Sequence, residues 1–443
     1  MNPVVIAGPV LFVDPAADIR DEIAAASGIP ELPQKIWFHK TAAAVIDADR
    51  CIGCGGCIAA CPSRSIGVGE DGRPTLIRMC TGCSACWDYC PMAGLRTERL
   101  VSVLDLPGVS NGSAGSSMGA GATDGIILTE PNGDRHDASR ELGQVVAAQS
   151  ARATERAAGA QDGGVVTALL AELLRSGNID GAIVHQPDGA FAGKSVLATT
   201  VAQLEASAGS VYAQSNALIE LNEPLPAGVE RIAFVGTPCQ VSVLRALQRF
   251  PWRYRETAAD AVVLTVALFC TRSFQGDKLA DELAAVGVDV PEVARIDVRA
   301  GEMIGWNGEG VELMRLPVGR MSKAALKGCS ECADFAGQAA DIAVGSIGSE
   351  PGWTTVLART EAGVSALESA GSALQVRPAP DLDRVALLAS RDRQRAENSL
   401  EREFDPDGGL WISYPDHVAA YEGTSRAAAA PPSYRSHHYQ VSC

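Results

Sequence analysis

No apolar run in the sequence reaches the ~18–20 residues that a membrane-spanning helix needs, so no membrane span is expected. An excess of positive charge is also missing: 37 Lys and Arg stand against 53 Asp and Glu, a formal net charge of −16. So acidic a chain is a poor partner for nucleic acid or for an anionic membrane surface. The first twenty residues carry a short apolar stretch but no basic segment ahead of it, and Asp14, Asp18 and Asp21 follow. That pattern argues against a secretory leader, and the expected compartment is the reducing cytoplasm.

What the sequence does have is cysteine. Thirteen are present in 443 residues, eight of them between Cys51 and Cys90. Disulfide frameworks belong to short secreted chains, so metal ligation is the better reading. The first run is Cys51-Ile-Gly-Cys54-Gly-Gly-Cys57-Ile-Ala-Ala-Cys61-Pro62, and the second is Cys80-Thr-Gly-Cys83-Ser-Ala-Cys86-Trp-Asp-Tyr-Cys90-Pro91. Both follow the C-x2-C-x2-C-x3-C-P spacing of two-cluster ferredoxins, in which the fourth cysteine of each run crosses to the other cube. One [4Fe–4S] cluster is therefore expected on Cys51, Cys54, Cys57 and Cys90, and a second on Cys80, Cys83, Cys86 and Cys61. Zinc takes four ligands per site and rarely shows this doubled pattern.

The chain is too long for one core. Its fold class reads as α+β and α/β, a small ferredoxin-like domain followed by a larger α/β domain. The boundaries expected are an N-terminal extension at 1–44, the two-cluster domain at 45–100 and a Gly/Ser-rich linker at 101–138. The α/β domain follows at 139–414, and a tail read as disordered at 415–443. In the α/β region, residues 165–177 pattern as a helix closed by Gly177. Strands are expected at 183–184, 196–201, 231–236, 261–270, 342–345 and 353–358, and helices at 240–249 and 277–287. Two halves of one domain and two abutting subdomains are both compatible with this order.

Cys239 and Cys270 fall at strand ends, where functional groups gather in α/β sheets. Together with the Cys329–Cys332 C-x2-C they could form a third cluster site, or they could be small buried apolar residues. Spacing alone leaves that open. The segment Gln161-Asp-Gly-Gly-Val-Val-Thr opens the helix at 165. Its glycines would let a phosphate reach bare N–H groups, although a plain turn with Asp162 as N-cap is the simpler account of the loop. His185 reads as a core or edge residue, His437 and His438 as solvated, and Cys443 as having no ligand role.

Taken together, these stretches resemble the family of coenzyme F420 hydrogenase and dehydrogenase beta subunits. The resemblance runs in order through the Gln161 segment, Gly209-Ser-Val-Tyr, Val235-Gly-Thr-Pro-Cys-Gln-Val and Leu268-Phe-Cys. It continues with Cys329-Ser-Glu-Cys-Ala-Asp-Phe, Ala340-Asp-Ile-Ala-Val-Gly-Ser-Ile-Gly-Ser, Gly352-Trp-Thr-Thr-Val and Arg359-Thr. It covers roughly residues 140–375.

The resemblance implies FAD and a third [4Fe–4S] cluster on Cys239, Cys270, Cys329 and Cys332, with coenzyme F420 docking as substrate. It also implies Gly163 and Gly164 as flavin-contacting residues, with Thr167, Ser210, Tyr212 and Thr237 as further contacts. No side chain is expected to be a catalytic acid or base. The expected activity is electron transfer between reduced F420 and a partner redox protein or complex. Two alternatives stand beside it: a ferredoxin-dependent reductase of a chlorophyll-type pigment or other organic substrate, as in sibling proteins, and an electron-carrier protein without substrate chemistry of its own.

Overall fold

The computed structural model describes residues 37–93, 127–129, 135–137 and 139–400, apart from 84, 214, 250–256 and 379. The N-terminal extension up to 36, the Gly/Ser-rich stretch, the tail after 415 with His437 and His438, and Cys443 lie outside the described residues.

The first cysteine run opens around the helical turn Gly56–Ala59, and the second around Ala85–Asp88. Between them β1 (Ile66–Val68) and β2 (Pro74–Leu76) form an antiparallel hairpin. Within the stretch expected to be linker, β3 (Ile127–Thr129) and β4 (Arg135–Asp137) form a second hairpin.

One eight-stranded mixed sheet organises the rest, in the order β15-β5-β14-β13-β9-β8-β6-β7. Its strands are β5 (Ala147–Ala153), β6 (Gly181–Pro187), β7 (Gly193–Ala198), β8 (Ile232–Gly236) and β9 (Val262–Leu268), with β13 (Ile342–Gly345), β14 (Thr354–Ala358) and β15 (Leu374–Arg377). The four central strands β13, β9, β8 and β6 run parallel, and the flanking pairs are antiparallel. A single sheet thus carries both halves of the α/β region. A separate three-stranded antiparallel sheet, β10 (Arg295–Arg299), β11 (Glu302–Trp306) and β12 (Glu312–Pro317), packs with helix Gly276–Ala285 around Leu279, Leu283, Ile296, Met303 and Met314.

Alternation along the strands makes two cores. On β8, Phe234 faces one side, and Ala233 and Val235 face the other. Helices α1 (Val165–Arg175) and α2 (Glu361–Ala370) supply Leu169, Leu173, Ala366 and Ala370 to one face. Helices Pro238–Arg249 and Leu382–Leu400 supply Val241, Leu244, Leu247, Val385 and Ala389 to the other. The cysteine-rich segment joins this second core through Ile52, Ala59, Trp87 and Tyr89. Among the described residues, no helix is long and apolar enough to cross a membrane.

Candidate functional site

The ferredoxin-like cysteines gather in two adjoining sets. Cys57 and Cys90 each lie within electrostatic reach of Cys51 and Cys54. Cys61, Cys80, Cys83 and Cys86 line one cavity together with Ser63, Ser65, Ile66 and Thr81. Cys86 is also within reach of Cys57 and Cys90, so the two sets adjoin.

The four remaining described cysteines also converge. Residues 236–239 turn from the end of β8 into the helix at Pro238, which puts Cys239 in that helix's first turn. Cys270 lies two residues past the end of β9, the neighbouring parallel strand. Cys329 lies in the single turn Lys327–Glu331, and Cys332 caps its end. Cys239 interacts with Cys270 and Cys332, and Cys270 with Cys329. Cys239 is in turn within reach of Cys54, so the third set adjoins the first.

The sulfur environments fit iron–sulfur cubes. Backbone N–H groups donate to sulfur from Gly56 to Cys54 (3.4 Å), Ser65 to Cys61 (3.2 Å), Gly82 to Cys80 (3.4 Å) and Ser273 to Cys329 (3.4 Å). The Thr41 hydroxyl lies 3.3 Å from Cys86 Sγ, and that of Thr237 lies 3.1 Å from Cys239 Sγ. Such donors suit anionic sulfur and tune cluster potentials. Burial pushes the Cys54 and Cys332 thiols up to about 12, so metal loading has to displace their protons. Among the described residues, no three or more His, Cys, Asp or Glu form a group that could hold a single metal ion. A cube spreads its four thiolates over four irons and asks for wider spacing.

The ligand loop of the first run is stitched to the large domain. Asn216 N–H donates to Gly53 O at 2.9 Å and Leu218 N–H to Cys54 O at 3.1 Å. A Cβ on Gly56 would come within 2.7 Å of Val243 on the helix that Cys239 opens. Arg50, one residue before Cys51, forms a buried two-point ion pair with Glu331, inside the Cys329–Cys332 turn.

The glycine loop is built differently from the simpler expectation. The N-cap of α1 is Gly164, at φ 67° and without a side-chain cap, and not Asp162, which itself sits at φ 45°. Gly163 N–H donates to Thr354 Oγ1 at 3.1 Å. Burial raises the Asp162 carboxyl above the usual range against the pull of Arg299 and Arg156. An uncapped helix start with two arginines nearby fits a phosphate-bearing group.

Thr167 lies half-buried in the first turn of α1. Ser210 and Tyr212 meet at Gln161, a residue whose motif is plain in the sequence but whose own role is not. Its amide donates to Tyr212 Oη at 3.2 Å, and Ser210 Oγ donates to its carbonyl. Val298 N–H donates to Tyr212 Oη at 2.7 Å, and burial pushes that phenol up to about 12. Thr237 belongs to the Cys239 end of the assembly.

Residues 148–221 match the N-terminal family model of the coenzyme F420 hydrogenase/dehydrogenase beta subunit, and residues 229–381 match the model of its C terminus. Residues 44–96 match a 4Fe-4S dicluster domain. The coenzyme F420 hydrogenase subunit beta of Methanothermobacter thermautotrophicus is 32% identical over 262 residues, covering 57% of this chain and 92% of that protein. The chain belongs to the family of coenzyme F420 hydrogenase/dehydrogenase beta subunits.

Other relatives differ in extent. An F(420)H(2) dehydrogenase subunit of Methanosarcina mazei is 26% identical, covering 83% of this chain and 97% of its own length. The coenzyme F420-dependent sulfite reductase of Methanocaldococcus jannaschii is 32% identical over 255 residues, 55% of this chain, which spans only 39% of that protein. Among solved structures, a chain of the F420-reducing [NiFe] hydrogenase complex from Methanosarcina barkeri superposes with a TM-score of 0.57 at 28% identity. It covers 62% of this chain and 98% of its own.

Proposed function

We propose that this chain passes electrons between reduced coenzyme F420 and a partner redox protein or complex, by way of FAD and three [4Fe–4S] clusters. The observation that carries this reading is the continuity of the three cysteine sets. Cys239 neighbours Cys54, and Cys57 and Cys90 neighbour Cys86. The names of the relatives, each tied to coenzyme F420, supply the substrate class.

When bound, FAD supplies the exchange between a hydride carrier and the one-electron clusters. The chain's own part is holding and tuning. Cys239, Cys270, Cys329 and Cys332 would hold the inner cluster. Cys51, Cys54, Cys57 and Cys90 would hold the middle one, and Cys61, Cys80, Cys83 and Cys86 the outer one. The N–H groups of Gly56, Ser65, Gly82 and Ser273 would offset negative charge on the cysteine sulfurs once a cluster is held. Gly164 and the uncapped start of α1 would meet the flavin's phosphates, with Gly163, Thr167, Ser210, Tyr212 and Thr237 as the remaining contacts. No side chain is assigned as acid or base.

Anaerobic reconstitution followed by reduced F420 tests the reading. Loss of flavin absorbance together with cluster reduction is the expected result; a loaded chain that stays oxidised would sink it.

A further inference from the structure

The family model of the C terminus stops at residue 381, and helix Leu382–Leu400 begins at the next residue. Its apolar positions Val385 and Ala389 join the core. Further along, Asp392, Arg395 and Ser399 stand three and four residues apart, a spacing that puts them on one face of the helix. That face meets the loops that carry two of the inner cysteines.

Arg395 bridges the two loops. Its Nη2 donates at 3.1 Å to the carbonyl of Thr271, the residue after Cys270, and at 3.3 Å to the carbonyl of Cys329. Its Nη1 donates to Asp392 Oδ1 at 2.6 Å. Ser399 Oγ donates to Ser330 O at 3.0 Å, a second hold on the turn that carries Cys329. Arg395 Nε is buried and has no hydrogen-bond partner among the described residues. A buried donor without an acceptor is costly. An anionic group held by these loops would offset both that donor and the guanidinium charge.

Two charges of opposite sign act on these cysteines. Burial pushes the Cys329 thiol up, and the Ser273 N–H and the Arg395 and Arg272 charges pull it back. Asp392 acts in the opposite sense to the arginines, on Cys329, Cys270 and Cys332. The Asp392 side chain is 4% exposed and that of Arg395 22%, so both charges act through protein more than through water. A positive charge beside an iron–sulfur centre favours its reduced form, and a negative one its oxidised form.

We propose that Arg395 is a positioning residue for the inner cluster. It fastens the ligand loops of Cys270 and Cys329 together and raises the cluster's reduction potential, with Asp392 as the counter-charge that limits the rise. The proposal rests on the reading that Cys239, Cys270, Cys329 and Cys332 hold that cluster.

The test is a potentiometric titration of the full reconstituted chain followed by electron resonance, with iron measured on each protein. It is run at pH 8, above the value of about 6 to which burial pushes the Asp392 carboxyl. Arg395→Leu should make the inner cluster roughly tenfold harder to reduce, a downward shift of about 59 mV for a one-electron couple. Arg395→Lys, which keeps the charge, should recover most of that shift, and Asp392→Asn should move the potential upward. Ser399→Ala removes a hold on the turn without changing charge and should leave the potential as in the parent. An unchanged potential in Arg395→Leu, or downward shifts in both Arg395→Leu and Asp392→Asn, would overturn the proposal. If Arg395→Leu sheds the inner cluster, Asp392→Asn decides, and a potential that does not rise overturns it. A parent with about eight iron atoms instead of about twelve would sink the three-cluster reading and the proposal together. A parent with its full iron whose inner potential ignores these substitutions would sink the proposal alone.

Discussion

Arg50 and Glu331, 281 residues apart in sequence, form a buried two-point ion pair between the cysteine-rich segment and the large domain. Arg50 Nε donates to Glu331 Oε1 at 2.7 Å, and Nη2 donates to Oε2. Their side chains are 2% and 6% exposed, so removing either partner takes this ion pair from a charge that is shielded from water. Arg50→Met or Glu331→Gln alone should lower unfolding free energy by about 3–5 kcal/mol. The joint change Arg50→Met/Glu331→Leu should recover much of that loss, because both charges of the pair are then removed from the interior. Chemical denaturation of all four proteins measures the coupling. A double variant that is worse than either single one would contradict the account.

The neighbourhood of Cys239 and Cys54 predicts a graded response to ligand loss. Cys239→Ser should lower iron from about twelve to about eight atoms per chain, four to a cube. The ferredoxin pair should keep its own spectrum, since the ligands proposed for it come from residues 51–90. Any spin–spin broadening between the proposed inner and middle clusters should disappear at the same time. Electron resonance of the reduced protein, with an iron assay, checks both. If iron stays near twelve, the assignment of Cys239 is wrong.

Much of the site was legible because its information is local. The C-x2-C-x2-C-x3-C-P runs declare themselves over twelve residues each, and the strands Ile232–Gly236, Ile342–Gly345 and Thr354–Ala358 are apolar enough to read directly. Strand β5, Ala-Ala-Gln-Ser-Ala-Arg-Ala, was not legible. It lacks β-branched residues and becomes a strand through pairing with β14 and β15. Arg50 and Glu331 were equally hidden. A charge beside a cysteine ligand looks like solvated surface until the fold brings its counter-charge across 281 residues. Gln161 sat in a recognised motif, but its contacts with Ser210 and Tyr212 depend on how two loops meet.

Gly163 owes its identity to space. A Cβ there would come within 2.6 Å of Ala151 O and 2.8 Å of Thr354 Oγ1, and backbone on a sheet strand cannot give way cheaply. Gly163→Ala should therefore cost about 1–3 kcal/mol and weaken FAD retention by displacing the start of α1. Gly177, at φ 68° with nothing near its Cβ position, is the control. Alanine there should cost only about 1–2 kcal/mol of backbone strain and leave FAD in place. Thermal unfolding and flavin content after gel filtration compare the two. Equal flavin loss would detach the effect from the glycine loop.

His185 gives the protein a proton-linked weakness on its acidic side. It lies on β6, its Nδ1 is 2.7 Å from Ser215 Oγ, and burial lowers its pKa from 6.5 to about 4. Between those values the unfolded chain binds a proton that the folded chain refuses. Stability contributed by the neutral ring is therefore complete above 6.5, falls as pH drops toward 4, and levels off below. The span corresponds to about 3 kcal/mol. His185→Asn cannot take up that proton, so its stability relative to the parent should improve steadily from pH 7 to pH 4.5. Denaturant unfolding of the two proteins at several pH values measures the difference, and other acid-sensitive groups cancel in the comparison. A difference that does not vary with pH would mean that the folded chain protonates His185 as readily as the unfolded one.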